Sequence, residues 1–290
     1  MSRTPGSIAR LTSTLRLAAT AAACSGAVAI AQTSGTTTSV ADRGTDQDAS
    51  ATVATPMRVG GEAAFEIQTR TAIVEDGEEG TVYVAGPMRT TAVLPEGYPR
   101  PTPAGAIEIK SYPSVRRAEL TVENTPRRAA SQAFMPLFMH IKDRNIAMTA
   151  PVENDMPAMA QAIDQLGEPA ADRSMRGDVT VSFLYRTEDL GPVGEAERGV
   201  RVVDAPPVTV ISVGIRGVAD DEMIRERTDR LYRWLRTQGS TNYGPDGSMA
   251  PGRWVPAGPP RWLGYNGPTM PARDRWAEAQ VPIRWEAGES

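Results

Sequence analysis

Residues 133–153 read AFMPLFMHIKDRNIAMTAPVE, and two periodicities meet inside them. Up to Ile141 the apolar side chains recur at three- and four-residue spacing, which predicts one face of a helix. From Asn145 that spacing is lost. Ile146, Met148 and Val152 fall at even intervals, which predicts a strand over Ile146–Val152 interrupted by Thr149 and Pro151. A helix handing over directly to a strand is the crossover of a mixed α+β unit.

Outward from this stretch the same unit completes itself. Thr125 is a candidate cap and Pro126 suits the first turn, so the helix begins near residue 126. Ala130, Phe134, Leu137, Phe138 and Ile141 form its predicted apolar stripe. Pro136 lies mid-pattern, predicts a kink, and leaves the carbonyl of Gln132 without its helical partner. Upstream, IEIKSYPSVRRAELTV (107–122) alternates like two strands broken at Pro113. Downstream, VTVSFLYR (179–186) puts Val179, Val181, Phe183 and Tyr185 on one strand face. A second pass follows. Residues 200–217 are strand-rich, with a proline pair at 206–207. DDEMIRERTDRLYRWLRTQG (220–239) is a predicted helix with acids at its positive end, a buried stripe of Met223, Ile224, Leu231, Trp234 and Leu235, and Gly239 as its stop. PRWLGYN (260–266) and QVPIRW (280–285) are predicted strands. Strand–helix–strand–strand thus occurs twice at an offset of about 94 residues, the mark of an internal repeat. The expected fold is α+β: two antiparallel sheet halves, each crossed by one helix.

The chain has 290 residues, and not all of it belongs to that unit. Residues 1–31 carry Arg3, Arg10 and Arg16, no acid, an apolar run from Leu17, and an Ala29-Ile30-Ala31 cleavage pattern, which predicts a secretory signal peptide and a periplasmic or secreted protein. The one cysteine, Cys24, follows three alanines, a faint lipoprotein box and a minority reading. Cleavage after Ala31 leaves a chain without cysteine, which excludes disulfides, thiolate metal sites and thiol nucleophiles. Residues 32–62 are small and polar without an aromatic side chain and read as a flexible tether. Residues 63–105 form an extension. In it FEIQTRTAIVEDGEEGTVYVAG (65–86) predicts two short strands around an acidic turn at Asp76–Gly80, and four prolines and two glycines fill 95–105 as a linker or irregular loop. The main domain is 106–286. Without residues 1–31, 28 basic residues face 35 acidic ones, a formal charge of −7 that argues against nucleic acid as the partner. No run of eighteen apolar residues occurs after Ala31, so no transmembrane span is expected.

Catalytic patterns are sparse. One histidine cannot supply a Ser–His–Asp set, and no H-E-x-x-H, P-loop or dinucleotide glycine pattern is present. No catalytic residue is assigned.

Three segments carry a resemblance: AIEIKSYPSVRRAEL (106–120), AFMPLFMHIKDRNIAMTAPVE (133–153) and YNGPTMPARDRWAE (265–278). Together and in this order they resemble the SOUL haem-binding family, over about Ala106–Trp285. Two departures stand in the last segment: Ala277 precedes Glu278 where the family usually has Asn, and Thr269 follows Pro268 where it usually has an aromatic residue. The resemblance implies a duplicated antiparallel structure with two helices, described as a distorted barrel. It also implies non-covalent binding of haem b or another tetrapyrrole in a largely apolar pocket. His140 is the candidate iron ligand, since neutral imidazole suits iron, and by resemblance it lies where relatives place a basic residue near the porphyrin. Met135, Met139 and Met148 are candidate sulfur ligands, Phe138 a candidate wall, and Arg128, Lys142, Arg144 and Arg275 candidate partners for the propionates. The expected function is an exported, non-catalytic haem carrier or buffer. The alternatives are a module for another hydrophobic small molecule, as in bacterial effector-binding domains, and an iron-removing enzyme.

Overall fold

The computed structural model describes residues 55–74, 77, 79–159 and 175–288. The signal-peptide and lipoprotein expectations, most of the tether and the tip of the acidic turn lie outside them. Two helices are the long ones among the described residues, α1 (Pro126–Asp143) and α2 (Asp221–Arg236). The repeat anticipated from the sequence is present. Its first copy is β5 (Ile107–Tyr112), β6 (Val115–Asn124), α1, β7 (Val152–Asp155) and β8 (Gly177–Leu184). Its second is β10 (Arg201–Ala205), β11 (Val208–Arg216), α2, β14 (Arg261–Gly264) and β15 (Trp276–Ala287).

Within the large antiparallel sheet the order is β5-β11-β15-β14-β7-β8-β6-β10, which reads the same from either end once the copies are exchanged. The halves join where β14 pairs β7, Arg261 opposite Asp155 and Gly264 opposite Val152. The first strand of each copy pairs with the second strand of the other: β5 lies on β11 (Ile109 opposite Ile211) and β10 on β6 (Val202 opposite Ala118). Neither copy has a complete sheet alone, so the two fold as one core. β1 (Met57–Gly60), inside the stretch expected to be tether, adds to β5, and β9 (Gly194–Glu195) adds to β10. The end strands do not meet. The sheet is open, and the expected distorted barrel is corrected to an open twisted sheet.

The two sheet faces differ in kind. Because side chains alternate along a strand, Ile107, Ile109, Val179, Val181, Phe183, Ile211, Val213, Ala279 and Val281 all point at the helices and make the main apolar core. The opposite face is covered by residues 90–106 and by a small sheet of β2 (Gln68–Ile73), β3 (Glu79–Ala85) and β4 (Met88–Arg89). The proline-rich stretch 95–105 is irregular, and Thr102 and Ala104 in it are buried. It crosses the sheet over Gly214 of β11, where the carbonyl oxygens of Pro103 and Thr102 stand 2.2 and 2.4 Å from where a Cβ would be. Only glycine admits so close a crossing.

The stretch that opened the sequence analysis departs from its prediction in two ways. The strand expected over Ile146–Val152 begins only at Val152. Residues 145–151 are irregular, with Asn145 at φ 54° and a cis Ala150–Pro151 bond. In addition, α1 is rotated on the sheet. Ala129, Ala133, Leu137, His140 and Ile141 are its buried line, and Phe134 is at the flank.

Candidate functional site

That rotation creates the site. Phe134 leans outward from α1, its ring parallel to Phe138 (centroids 5.9 Å apart, 9° between planes) and edge-on to Phe183 of β8 at 5.4 Å. Met135 beside it is 58% exposed. Arg128, Met135 and Lys142 are seven residues apart, so at 3.6 residues per turn they form one line along the helix about 20 Å long. Phe134 and Phe138 lie next to that line. Arg128 and Lys142 are exposed and have no ion-pair partner among the described residues. The outer flank of α1 is therefore an apolar centre with an unpaired cation at each end.

Four of the sequence candidates meet here: Arg128, Met135, Phe138 and Lys142. His140, Arg144, Met148 and Arg275 do not. His140 was expected at the edge of the stripe and is buried, with 1% of its surface exposed. Its Nε2 is 2.9 Å from the Tyr185 hydroxyl, and its Nδ1 is buried without a partner. Burial first, then the nearby Arg144, holds its pKa below the ordinary value, so it is neutral at pH 7. Two residues along a helix is a rotation of about 160° from the shorter side, so His140 points away from Phe138. Arg144 is engaged by Glu197 at 2.8 Å. Met148 is half-buried against the helix-side core in the irregular segment. Arg275 belongs to the second repeat and donates to the carbonyls of Met270 and Pro268, far along the chain fold from α1.

Other residues of the three segments that carried the resemblance gather elsewhere. Glu108, Lys110 and Tyr112 of the first segment, Glu153 of the second, and Tyr265 and Glu278 of the third share the buried polar face of the sheet. Glu278 and Lys110 are wholly inaccessible and pair at 2.8 Å. Glu278 also accepts from the Tyr265 hydroxyl, the Ser212 hydroxyl and the Thr102 amide. Burial alone would raise the Glu278 pKa; Lys110 and these donors outweigh it and bring it down to about 2. The same balance leaves the Lys110 pKa raised. Arg100 holds Glu108, while Tyr98 and Arg261 hold Glu153. Sequence reasoning missed this network. Its one trace was charged residues at alternate positions in 107–112, which periodicity alone assigns to solvent. Every carboxylate in it is satisfied and covered, so it holds the 98–102 segment on the sheet and leaves no room for a substrate.

Among the described residues no group of three His, Cys, Asp or Glu side chains could hold a metal ion. No described helix is long and apolar enough to cross a membrane. The SOUL heme-binding protein family model matches residues 99–279, more than half of the chain. The chain belongs to the SOUL haem-binding family. No curated protein matches it. Among solved structures this SOUL protein is similar to the EcmrR C-terminal domain (13% identity, TM-score 0.44, covering 61% of this chain and 96% of that one). It is also similar to an uncharacterized conserved protein from Listeria innocua (12%, 0.40, 63% and 93%) and to SAV2435 bound to tetraphenylphosphonium (10%, 0.32, 61% and 93%).

Proposed function

We propose that this SOUL protein is an exported, non-catalytic carrier that takes haem or a related tetrapyrrole on the outer flank of α1. The observation that carries the reading is the flat apolar surface of Phe134, Met135 and Phe138 between unpaired Arg128 and Lys142. A planar macrocycle buries its face on such a surface, and its two carboxylates, which leave one edge of the ring, match the cation at one end. The residues fit the macrocycle but not a histidine-ligated iron, because the His140 imidazole is buried and hydrogen-bonded on the far side of the helix. Binding then rests on the apolar faces and on a propionate pair held by Arg128 or by Lys142, with the iron a passenger. The export part of the reading is supported by the pattern of residues 1–31, and mass spectrometry of the secreted chain, expected to begin at Gln32, checks it.

The absence of a reachable histidine favours one refinement: iron is dispensable. Titration of the full chain with haemin and with metal-free protoporphyrin, followed by absorbance and thermal midpoint, tests it. The expected result is similar affinity for both. Binding of haemin alone would mean an axial ligand and sink this reading. Release of iron from bound haem over time would favour the enzymatic alternative.

A further inference from the structure

We infer a second binding site, on the N-terminal extension, for an amphipathic anion: an apolar chain ending in a carboxylate or phosphate. A cleft of about 700 Å³ lies between the β2-β3-β4 sheet and residues 269–271. This size suits one small molecule. In the sheet register Arg70 is opposite Val82, Ala72 opposite Gly80, and Arg89 opposite Val84. Side chains alternate between faces, so both arginines stand on the same face as the two valines. Val82 is buried and Met270 closes the other wall, giving an apolar floor.

The arginines are what mark this cleft. Elsewhere the described strand arginines are neutralised, among them Arg58 by Glu66, Arg116 by Asp204, Arg201 by Glu119 and Arg253 by Glu286. Among the described residues Arg70 has only the Gln68 side chain, at 2.9 Å, and the Arg89 guanidinium has no carboxylate. In a chain with more acids than bases, 35 to 31, two unpaired guanidiniums beside an apolar cleft form a local positive site in a negative protein. Guanidinium groups bind carboxylate and phosphate in bidentate fashion, and the valines and Met270 supply the surface for the chain. None of these residues belongs to the α1 flank, so the two sites are independent.

Calorimetric titration of the full chain with dodecanoate, dodecyl phosphate, dodecyltrimethylammonium and inorganic phosphate, below micellar concentrations, tests the site. Dodecanoate or dodecyl phosphate is expected to bind at one site, their ratio showing which headgroup is preferred, with the cation and free phosphate much weaker. Combining Arg70→Glu with Arg89→Glu should weaken binding by roughly tenfold or more. Ala72→Trp, which fills the cleft from an exposed position, should do the same without a charge change. Phe134→Ser, on α1, should leave it unchanged. Equal binding of the cationic amphiphile, or unchanged affinity in both cleft variants, overturns the proposal. So does loss of dodecanoate binding in Phe134→Ser, which would place the amphiphile on the α1 flank instead.

Discussion

The two helices occupy equivalent places in the repeat and follow different rules. α2 has an Asp220 cap accepting from the Met223 amide at 2.8 Å, acids in its first turn, and Arg233 and Arg236 in its last. Its buried line is Ile224, Leu231, Tyr232 and Leu235, and its outer face is charged. α1 has no side-chain cap bond, no acid in its first turn, a proline in its interior, and Phe134 and Met135 facing solvent. One helix follows the capping and charge preferences at both ends, while its twin lacks the cap bond and the first-turn acids and turns Phe134 and Met135 outward. Such violations mark function where they are not forced by packing, and the buried charges elsewhere are managed: Lys110 and Glu278, wholly buried, pair with each other.

The largest expected effect tests whether the polar face is structural. Lys110→Ala strands the Glu278 carboxylate and should cost about 3–5 kcal/mol by urea unfolding. A smaller loss would mean that Glu278 is not held as described. Leu231→Ala in α2 should cost about 2–5 kcal/mol and leave haemin affinity unchanged.

Acid should act through two groups in the same direction. The Glu278 pKa is depressed, so its stabilisation is complete above about pH 4.5 and disappears as pH falls toward about 2. His140 is also depressed, by burial and by Arg144 and Arg198 against Glu197 and Asp143, with uncharged Tyr185 at its Nε2. Unfolding lets it take a proton, so stability should begin to fall below about pH 6.5. His140→Gln should remove the loss that begins below about pH 6.5 in thermal melts and leave the lower one.

Caps give a finer contrast. Asp220→Ala should cost about 1 kcal/mol, whereas Thr125→Ala, whose hydroxyl makes no bond, should be close to neutral. The smallest stability effect is expected where the functional effect is greatest: Met135→Ser should change stability by less than about 0.5 kcal/mol yet weaken tetrapyrrole binding.

The repeat was legible because both helices and their opening strands recur at a fixed offset. The exchange of first strands was not, because periodicity reports which face is buried and carries no register. Leu137 and Ile141 of the α1 stripe are buried as expected, but Ala129 and Ala133 replace Ala130 and Phe134: Phe134 outweighs Ala133 in any hydrophobic count, yet the small Ala129 and Ala133 let the helix sit close to the sheet. The strand at Ile146 failed because the turn at Asn145 and the bend at Pro151 leave no straight backbone to pair. The Lys110–Glu278 pair joins residues 168 positions apart, and nothing local announces it. Of the candidate site, the basic and apolar residues of α1 were readable; the direction in which His140 points was not.

Parallel haemin titrations of Met135→Glu and His140→Ala ask most directly whether the ligand lies on the outer flank of α1. Loss of the Soret change in Met135→Glu, with His140→Ala close to the unaltered protein, is the predicted result. Retention in Met135→Glu with loss in a folded His140→Ala would contradict it, because iron would then have to reach an imidazole that the structure keeps beneath the helix.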